Sequence, residues 1–291
     1  MSFTAPVKDM LFCMEHLANL PQVAQIPGFE DASLETAQAV LEESAKLCEG
    51  VIEPLNVPGD TQPSSFAEGK VVTTPGFKEA YQQYVQGGWQ GLQHPVDFGG
   101  QGLPKTIGAA CVEMLNASNI SFALCPLLTD GAIEALLTAG SDALKAKYLE
   151  KLVSGEWTGT MNLTEPQAGS DLALVRTKAE PLPDGTYKIF GTKIFITYGE
   201  HDMAENIIHL VLARVAGAPE GVKGISLFVC PSSWSMTMAV WGHAMMCIAY
   251  PSNTRWASRH RPRLCCSTVT TVVRLATWWA KKTGGWSTCS S

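Results

Sequence analysis

The groups in this chain best suited to chemistry lie in two segments: Met161 through Asn162, Leu163, Thr164, Glu165, Pro166, Gln167, Ala168, Gly169 and Ser170 to Asp171, and Lys193-Ile194-Phe195-Ile196-Thr197. Thr164 has a hydroxyl that both donates and accepts. Pro166 removes a backbone donor and ends a preceding strand, and Gly169 lets the backbone bend closely around a ligand. Such a turn exposes free amides to a phosphate or to the edge atoms of a ring. On an extended strand, Phe195 and Thr197 point to one face and Ile196 to the other. An aromatic and a hydroxyl could then cover and bond one flat ring, which is what a flat, polyanionic flavin dinucleotide needs.

The Thr-Glu-Pro-x-Ala-Gly-Ser-Asp run at 164–171, with Phe195-Ile196-Thr197 after it, resembles the flavin site of the acyl-CoA dehydrogenase family. The resemblance implies FAD as cofactor. Leu163 and Thr164 are expected to face the pyrimidine end of the isoalloxazine, Ser170 the phosphates and the thioester substrate, and Met161 is expected among the cofactor-binding residues. By the same resemblance Phe195 lies against the flavin and Thr197 near its reactive nitrogen. Many members carry Trp where Phe195 stands, and both side chains are planar. The implied activity is α,β-dehydrogenation of an acyl-CoA in fatty acid metabolism. The implied partners are an electron-transfer flavoprotein or similar acceptor and further copies of the chain in a homo-oligomer. In that family the catalytic base is a Glu of a carboxy-terminal helical domain, so no catalytic residue is assigned here. Residues 1–34 and the Gly199-Glu200-His201-Asp202 segment suggest the larger bacterial branch, which includes members acting on unusual short acyl thioesters.

Other chemistry finds less support. There is no Gly-x-Ser-x-Gly elbow to make Ser170 a nucleophile. His201 and His209 are spaced wrongly for a metal pair and read as surface or hydrogen-bonded core residues, and no metal ligands are assigned. Glu165 and Asp171 could form an acid/base pair, but a structural role suits both better. The glycine-rich 87–104 segment does not run from a strand into a helix as a dinucleotide fingerprint requires, and reads as a turn. The nine cysteines show no paired metal spacing and imply no disulfides.

These segments must be positioned by two kinds of element. Apolar residues recur at helical period over 31–55, with Asp31 or Ser33 able to cap the start, and again over 76–86, 105–118, 129–139 and 141–153. From Trp157 the pattern turns to short β-rich segments at 157–163, 174–179, 186–190, 193–197, 207–214 and 225–229, with a turn at Pro183-Asp184-Gly185. The expected class is α+β: an amino-terminal all-α helical domain, then an incomplete antiparallel β-barrel domain, with the family's carboxy-terminal helical bundle missing. The barrel would be left with unpaired edges.

Composition breaks at about Cys230. All 27 acidic residues lie before it, while the last 62 residues hold seven Lys or Arg, six of the eight Trp and five of the nine Cys. The net charge is therefore −13 before the break and +7 after it. One reading is a nucleic-acid or membrane patch centred on Arg255, Arg259, Arg261 and Arg263. The other is an out-of-frame product, since splitting common codons raises Trp, Cys, Arg and Ser. One codon choice for Val273 to Ser290, read two nucleotides later, gives AVGYLVGEENRGLEYMF, which resembles the Gly-x-x-Asn-x-Gly-Leu region that follows the family's middle β-domain. The frameshift reading is preferred.

The expected organisation is an extension at 1–34, the helical domain at 35–155, a partial middle β-domain at 156–229 and an out-of-frame, disordered tail at 230–291. No secretory signal and no run of 18 apolar residues is present, so a bacterial cytoplasmic protein with no membrane span and no nucleic-acid partner is expected. The function expected is that of an FAD-dependent acyl-CoA dehydrogenase in catalytically incomplete form. The alternative is a non-catalytic remnant, or a binding module using the basic, Trp-rich tail.

Overall fold

The structure, a computed structural model, describes residues 3–67, 70–232, 263–266 and 273–279. Ser33 starts the first long helix by accepting the Thr36 N–H on its hydroxyl at 3.0 Å, which satisfies one of the orphan donors of a helix N-terminus. That helix, α3 (Leu34–Leu47), runs on through a π-turn at Cys48–Ile52. Before it lie α1 (Val7–His16) and the short α2 (Leu20–Val23). Met10, Met14, Leu20 and Ala32 of the extension are buried in the same core as Leu41, Phe77, Ile107 and Phe122, so residues 1–34 include an integral layer of the helical domain.

After α4 (Asn56–Thr61) and the hairpin β1–β2 (Ser65–Ala67, Lys70–Val72), α5 (Phe77–Gln86) fills the helix predicted at 76–86. The predicted helices at 105–118 and 129–139 are halves of a single element, α6 (Lys105–Ala139), broken at Asn119 with φ −160° and ψ 91°. Asn119 Oδ1 accepts the Phe122 N–H at 3.1 Å and so restarts the helix well before the predicted position. Pro126, which reads as a breaker, sits early in this second half. Among the described residues α6 alone is long and apolar enough to cross a membrane, and half of its most apolar window is buried inside the protein. The last helix, α7 (Asp142–Val153), is capped by the Ser141 hydroxyl accepting the Leu144 N–H.

The main sheet contains β3 (Trp157–Asn162), β4 (Lys178–Pro181), β5 (Thr186–Phe190), β7 (Asn206–Val215) and β8 (Ile225–Pro231), while β6 (Lys193–Thr197) lies in a separate two-stranded sheet. The α+β order of a helical region followed by a sheet domain is as expected, but the sheet is mixed in direction and not purely antiparallel. β7 pairs in parallel with both β3 and β4, and antiparallel with β8. β3 reaches β7 only after a long excursion through β4 to β6, and a connection of that length permits the parallel register. Some of the expected open edges are paired, although among the described residues β3 remains an edge strand bonded to β7 alone. Two tail segments, β9 (Arg263–Cys266) and β10 (Val273–Trp279), pair with β6 and with β5 and β8. An open edge presents backbone groups that accept any extended strand, whatever its side chains. The tail expected to be disordered is thus strand at these two places and at Cys230 and Pro231 of β8, and residues 233–262, 267–272 and 280–291, with Arg255, Arg259 and Arg261, lie outside the described residues.

The second half of α6 lies across β3. The Gly159 N–H donates to Thr129 Oγ1 at 3.1 Å, and a Cβ at Gly159 would stand 2.4 Å from that of Ala132. Ile133, Leu136, Leu149 and Leu152 of α6 and α7 close over Ile208, Leu210 and Val229 of the sheet. Each fully buried aliphatic side chain contributes about 1.5–3 kcal/mol, so this layer fixes where β3 ends and the turn after it begins.

Candidate functional site

The turn after β3 is a two-residue hairpin around Pro166-Gln167. Glu165 and Ala168 exchange backbone hydrogen bonds in both directions at 2.9 and 3.0 Å. The Glu165 carboxylate, 3% exposed, is held from several sides. It accepts from the Arg176 N–H at 2.7 Å, the Thr177 N–H at 3.1 Å and hydroxyl, the Gln167 amide, and Lys193 Nζ at 2.8 Å. Burial by itself would raise its pKa, but the Lys193 ammonium, the Thr177 hydroxyl and the Arg176 N–H outweigh that and hold it at about 2. Glu165 is therefore a permanently ionised anchor with no capacity left for acid/base chemistry. Asp171 is likewise structural, accepting the Ala173 N–H at 2.9 Å.

The two motif segments meet. The Ile194 N–H donates to the Thr164 carbonyl at 2.9 Å, and Lys193 Nζ donates to the Leu163 carbonyl at 3.0 Å. The regular alternation expected of β6 does not hold. Phe195 has φ +59°, the β6–β9 register shifts between Lys193 and Ile196, and both of those residues are buried although three apart. A bulge of this kind re-aims a side chain. The Phe195 ring is 58% exposed while Thr197 is half-buried, so the simple picture of two side chains sharing one face is corrected.

The loop from Asp171 is pinned by one cation. Arg214 of β7 donates to the carbonyls of Ala173, Val175, Pro219 and Gly221 at 2.6, 2.9, 3.0 and 2.6 Å. A planar guanidinium suits such a fork of acceptors where an ammonium does not.

Behind β3 lies a buried polar layer. Thr158, Thr160 and Asn162 alternate onto one face, where His201 Nε2 is 2.9 Å from the Thr158 hydroxyl and His209 Nδ1 is 2.7 Å from that of Thr160. The Met203 N–H donates to His201 Nδ1, so the ring's proton sits on Nε2 and goes to Thr158. Thr160 donates its own proton to Asn162 Oδ1, so His209 Nδ1 is the donor to Thr160. Burial drives both imidazoles down to about 4, opposed at His201 by Asp202 and reinforced at His209 by His201. Both rings are neutral, hydrogen-bonded core residues rather than surface ones, and among the described residues no cluster could hold a metal ion.

The segment after β6 joins the two halves of the molecule. The Tyr198 hydroxyl donates to the Ser121 carbonyl at 2.5 Å, and Asp202 accepts from the Thr73 N–H and hydroxyl at 3.1 and 2.6 Å. Tyr198 and Met203 belong to the helical core. In the turn and β6, the predicted ligand residues all keep some exposure: Ser170 and Phe195 are exposed, and Met161, Leu163, Thr164 and Thr197 are half-buried, as accessible as Pro166, Gln167, Gly169 and Ile194 beside them. The interleaved Asn162, Glu165, Ala168 and Ile196 are buried. Sequence reasoning missed Lys193, Thr177 and Arg214. Only a Lys placed within an otherwise apolar strand was there to signal the first.

Comparison with known proteins places this geometry. Residues 35–156 match the acyl-CoA dehydrogenase N-terminal domain and residues 160–246 the middle domain, the latter running past the composition break. The chain is 56% identical over 231 residues to 3-methylmercaptopropionyl-CoA dehydrogenase of Ruegeria pomeroyi, covering 79% of this chain and 39% of that protein. It is 36% identical over 234 residues to a butyryl-CoA dehydrogenase of Syntrophomonas wolfei, covering 78% and 38%. The chain thus spans about two fifths of the length of these relatives. A Bacillus anthracis acyl-CoA dehydrogenase solved with FAD superposes with a TM-score of 0.63 at 20% identity, over 87% of this chain and 39% of that one, which is a likeness of fold. The chain belongs to the acyl-CoA dehydrogenase family.

Proposed function

We propose that this chain supplies the flavin turn and the amino-terminal half of an enzyme that oxidises the Cα–Cβ bond of acyl-CoA thioesters. The observation that carries the reading is how exposure divides the Met161–Ser170 run and β6. The groups assigned to a ligand all keep part of their surface accessible, while Asn162, Glu165, Ala168 and Ile196 among them are buried anchors; Met161 also packs against the layer of α6 and α7. A Cβ at Gly169 would meet nothing within 4 Å, so the turn beside Ser170 leaves room for a bulky polyanion. Bound FAD would take up the hydride that leaves the β-carbon while a carboxylate accepts the α-proton. The chain's own part is to bind and orient. Leu163 and Thr164 meet the pyrimidine edge, Ser170 meets the phosphates and the thioester, Phe195 covers the ring, Thr197 bonds near its reactive nitrogen, and Met161 lies at the start of the same run. A shielded hydroxyl left without its ligand partner costs about 1–3 kcal/mol, so each of Thr164, Ser170 and Thr197 is worth roughly ten- to hundredfold in affinity.

The 56% identity to 3-methylmercaptopropionyl-CoA dehydrogenase favours a short, thioether-bearing acyl-CoA as substrate. An electron-transfer flavoprotein as acceptor and a homo-oligomeric assembly follow from family membership. The acid-free stretch from residue 230 favours a second statement: the reading frame shifts near Val229 and Cys230, and the activity belongs to the restored frame. Every Asp and Glu of this chain precedes residue 230, and the four that follow the flavin motifs, Glu200, Asp202, Glu205 and Glu220, lie within the middle domain, so none lies in a carboxy-terminal helical segment to serve as base. Mixing the frame-restored and the 291-residue proteins anaerobically with 3-methylmercaptopropionyl-CoA tests both statements. Bleaching of the flavin is expected in the first alone. Bleaching in the 291-residue chain would overturn the frame argument, and its absence from both would overturn the substrate reading.

A further inference from the structure

We propose that Lys193 is a positioning residue that sets the direction of the Thr164 peptide group, and with it the amide presented to the flavin; this rests on the flavin reading above. Lys193 Nζ bridges two acceptors of the turn, the Leu163 carbonyl at 3.0 Å and Glu165 Oε1 at 2.8 Å, and both charged side chains are no more than 5% exposed. No peptide bond among the described residues is cis. In a trans peptide the N–H points opposite to its C=O. With the Leu163 carbonyl drawn inward to the ammonium, the Thr164 N–H of the same peptide is turned outward. The next peptide is fixed as well, because the Thr164 carbonyl accepts the Ile194 N–H from the residue beside Lys193. One lysine and its neighbour on β6 therefore set two successive peptide planes where the ring would dock.

Charge decides how Lys193 acts. Its ammonium is paired with a carboxylate held at about 2, so the pair is neutral overall and offers no net attraction to a phosphate. What remains is geometry. An ammonium supplies three donors, and Lys193 directs two of them to fixed acceptors. Burial also depresses the Lys193 pKa, opposed by Glu165, so the ion pair depends on both partners. Removing only the lysine strands a buried carboxylate, a strongly destabilising change. The informative variant is the uncharged double replacement Lys193→Met with Glu165→Gln, which removes the donor to Leu163 without leaving a bare charge. The conservative variant is Lys193→Arg.

The test is FAD titration of the 291-residue chain by flavin fluorescence, together with amide hydrogen exchange. We expect the double variant to bind FAD at least about tenfold more weakly, the loss of a charge-assisted hydrogen bond. Faster exchange is expected at Ile194, Arg176 and Thr177, with α3 and α7 unchanged. Lys193→Arg should restore affinity to within about threefold, since a guanidinium also donates to both acceptors. Unchanged affinity and exchange in the double variant would overturn the proposal. So would exchange that rises throughout the sheet and is not rescued by Arg, since that would make Lys193 a general prop of the fold. If the wild-type chain fails to take up FAD, the flavin reading falls. The exchange pattern still decides the role of Lys193: a local increase at the turn supports it, and no increase refutes it.

Discussion

Acidification from pH 7 to pH 5 should destabilise this protein through two residues that touch no proposed ligand. His201 and His209 are fully buried, and burial holds both near 4, against the 6.5 of a freely solvated imidazole. Between these values the unfolded chain binds protons that the folded chain refuses, so stability is complete above about pH 6.5 and falls as the pH drops toward 4. At pH 5 the linkage amounts to about 2 kcal/mol per histidine, or roughly 4 kcal/mol for the pair. For a domain of this size that corresponds to a drop in melting temperature on the order of 10 °C. Glu165 works in another window. Its pKa is depressed to about 2, so its contribution is present above about pH 4.5 and is lost only as the pH falls toward 2. The assay is thermal and urea unfolding at pH 7, 6 and 5 at constant ionic strength, on the wild type and on His209→Gln, whose amide can still donate to Thr160. The variant should lose about half the pH dependence. A wild-type melting temperature that is flat over this range, or a slope untouched by the substitution, would refute the reasoning.

Two further substitutions probe the supports of the turn. Gly159→Ala places a methyl 2.4 Å from the Ala132 Cβ and should cost about 1–3 kcal/mol in urea unfolding, part of which Ala132→Gly recovers. An unchanged midpoint would mean that β3 and α6 are not in contact. Arg214→Lys cannot reproduce a fork of four carbonyls and should cost about 2–4 kcal/mol, with faster amide exchange in the 171–177 loop as its local sign.

Much of the site was legible in the sequence because the information there is local. The Thr164–Asp171 run contains its own turn chemistry, and β5 and β6 fall where the alternation and flanking turns placed them. What was not legible depends on distant partners. Nothing near Pro126 says that it lies inside a helix, because the restart of α6 depends on Asn119 capping Phe122. The parallel pairing of β3 with β7 is set by the layer of α6 and α7 above them, which strand patterns do not reveal. Phe195 breaks alternation because a bulge gives it positive φ, a conformation that its residue type does not favour. Lys193 finds its partner in Glu165, twenty-eight residues earlier, and nothing local to either residue announces the pair.

The central claim is that the turn after β3, with β6, is a flavin site. Equilibrium titration of the purified chain with FAD, followed by fluorescence and by the flavin absorption envelope, addresses it most directly when the wild type is run beside Thr164→Val. The account predicts saturable binding of one FAD per chain, with a perturbed flavin spectrum and an affinity about ten- to hundredfold weaker in the variant at an unchanged melting temperature. Equal affinity in the two proteins, or a variant that loses melting temperature while retaining full flavin occupancy, would show that Thr164 serves the backbone alone and would contradict the site.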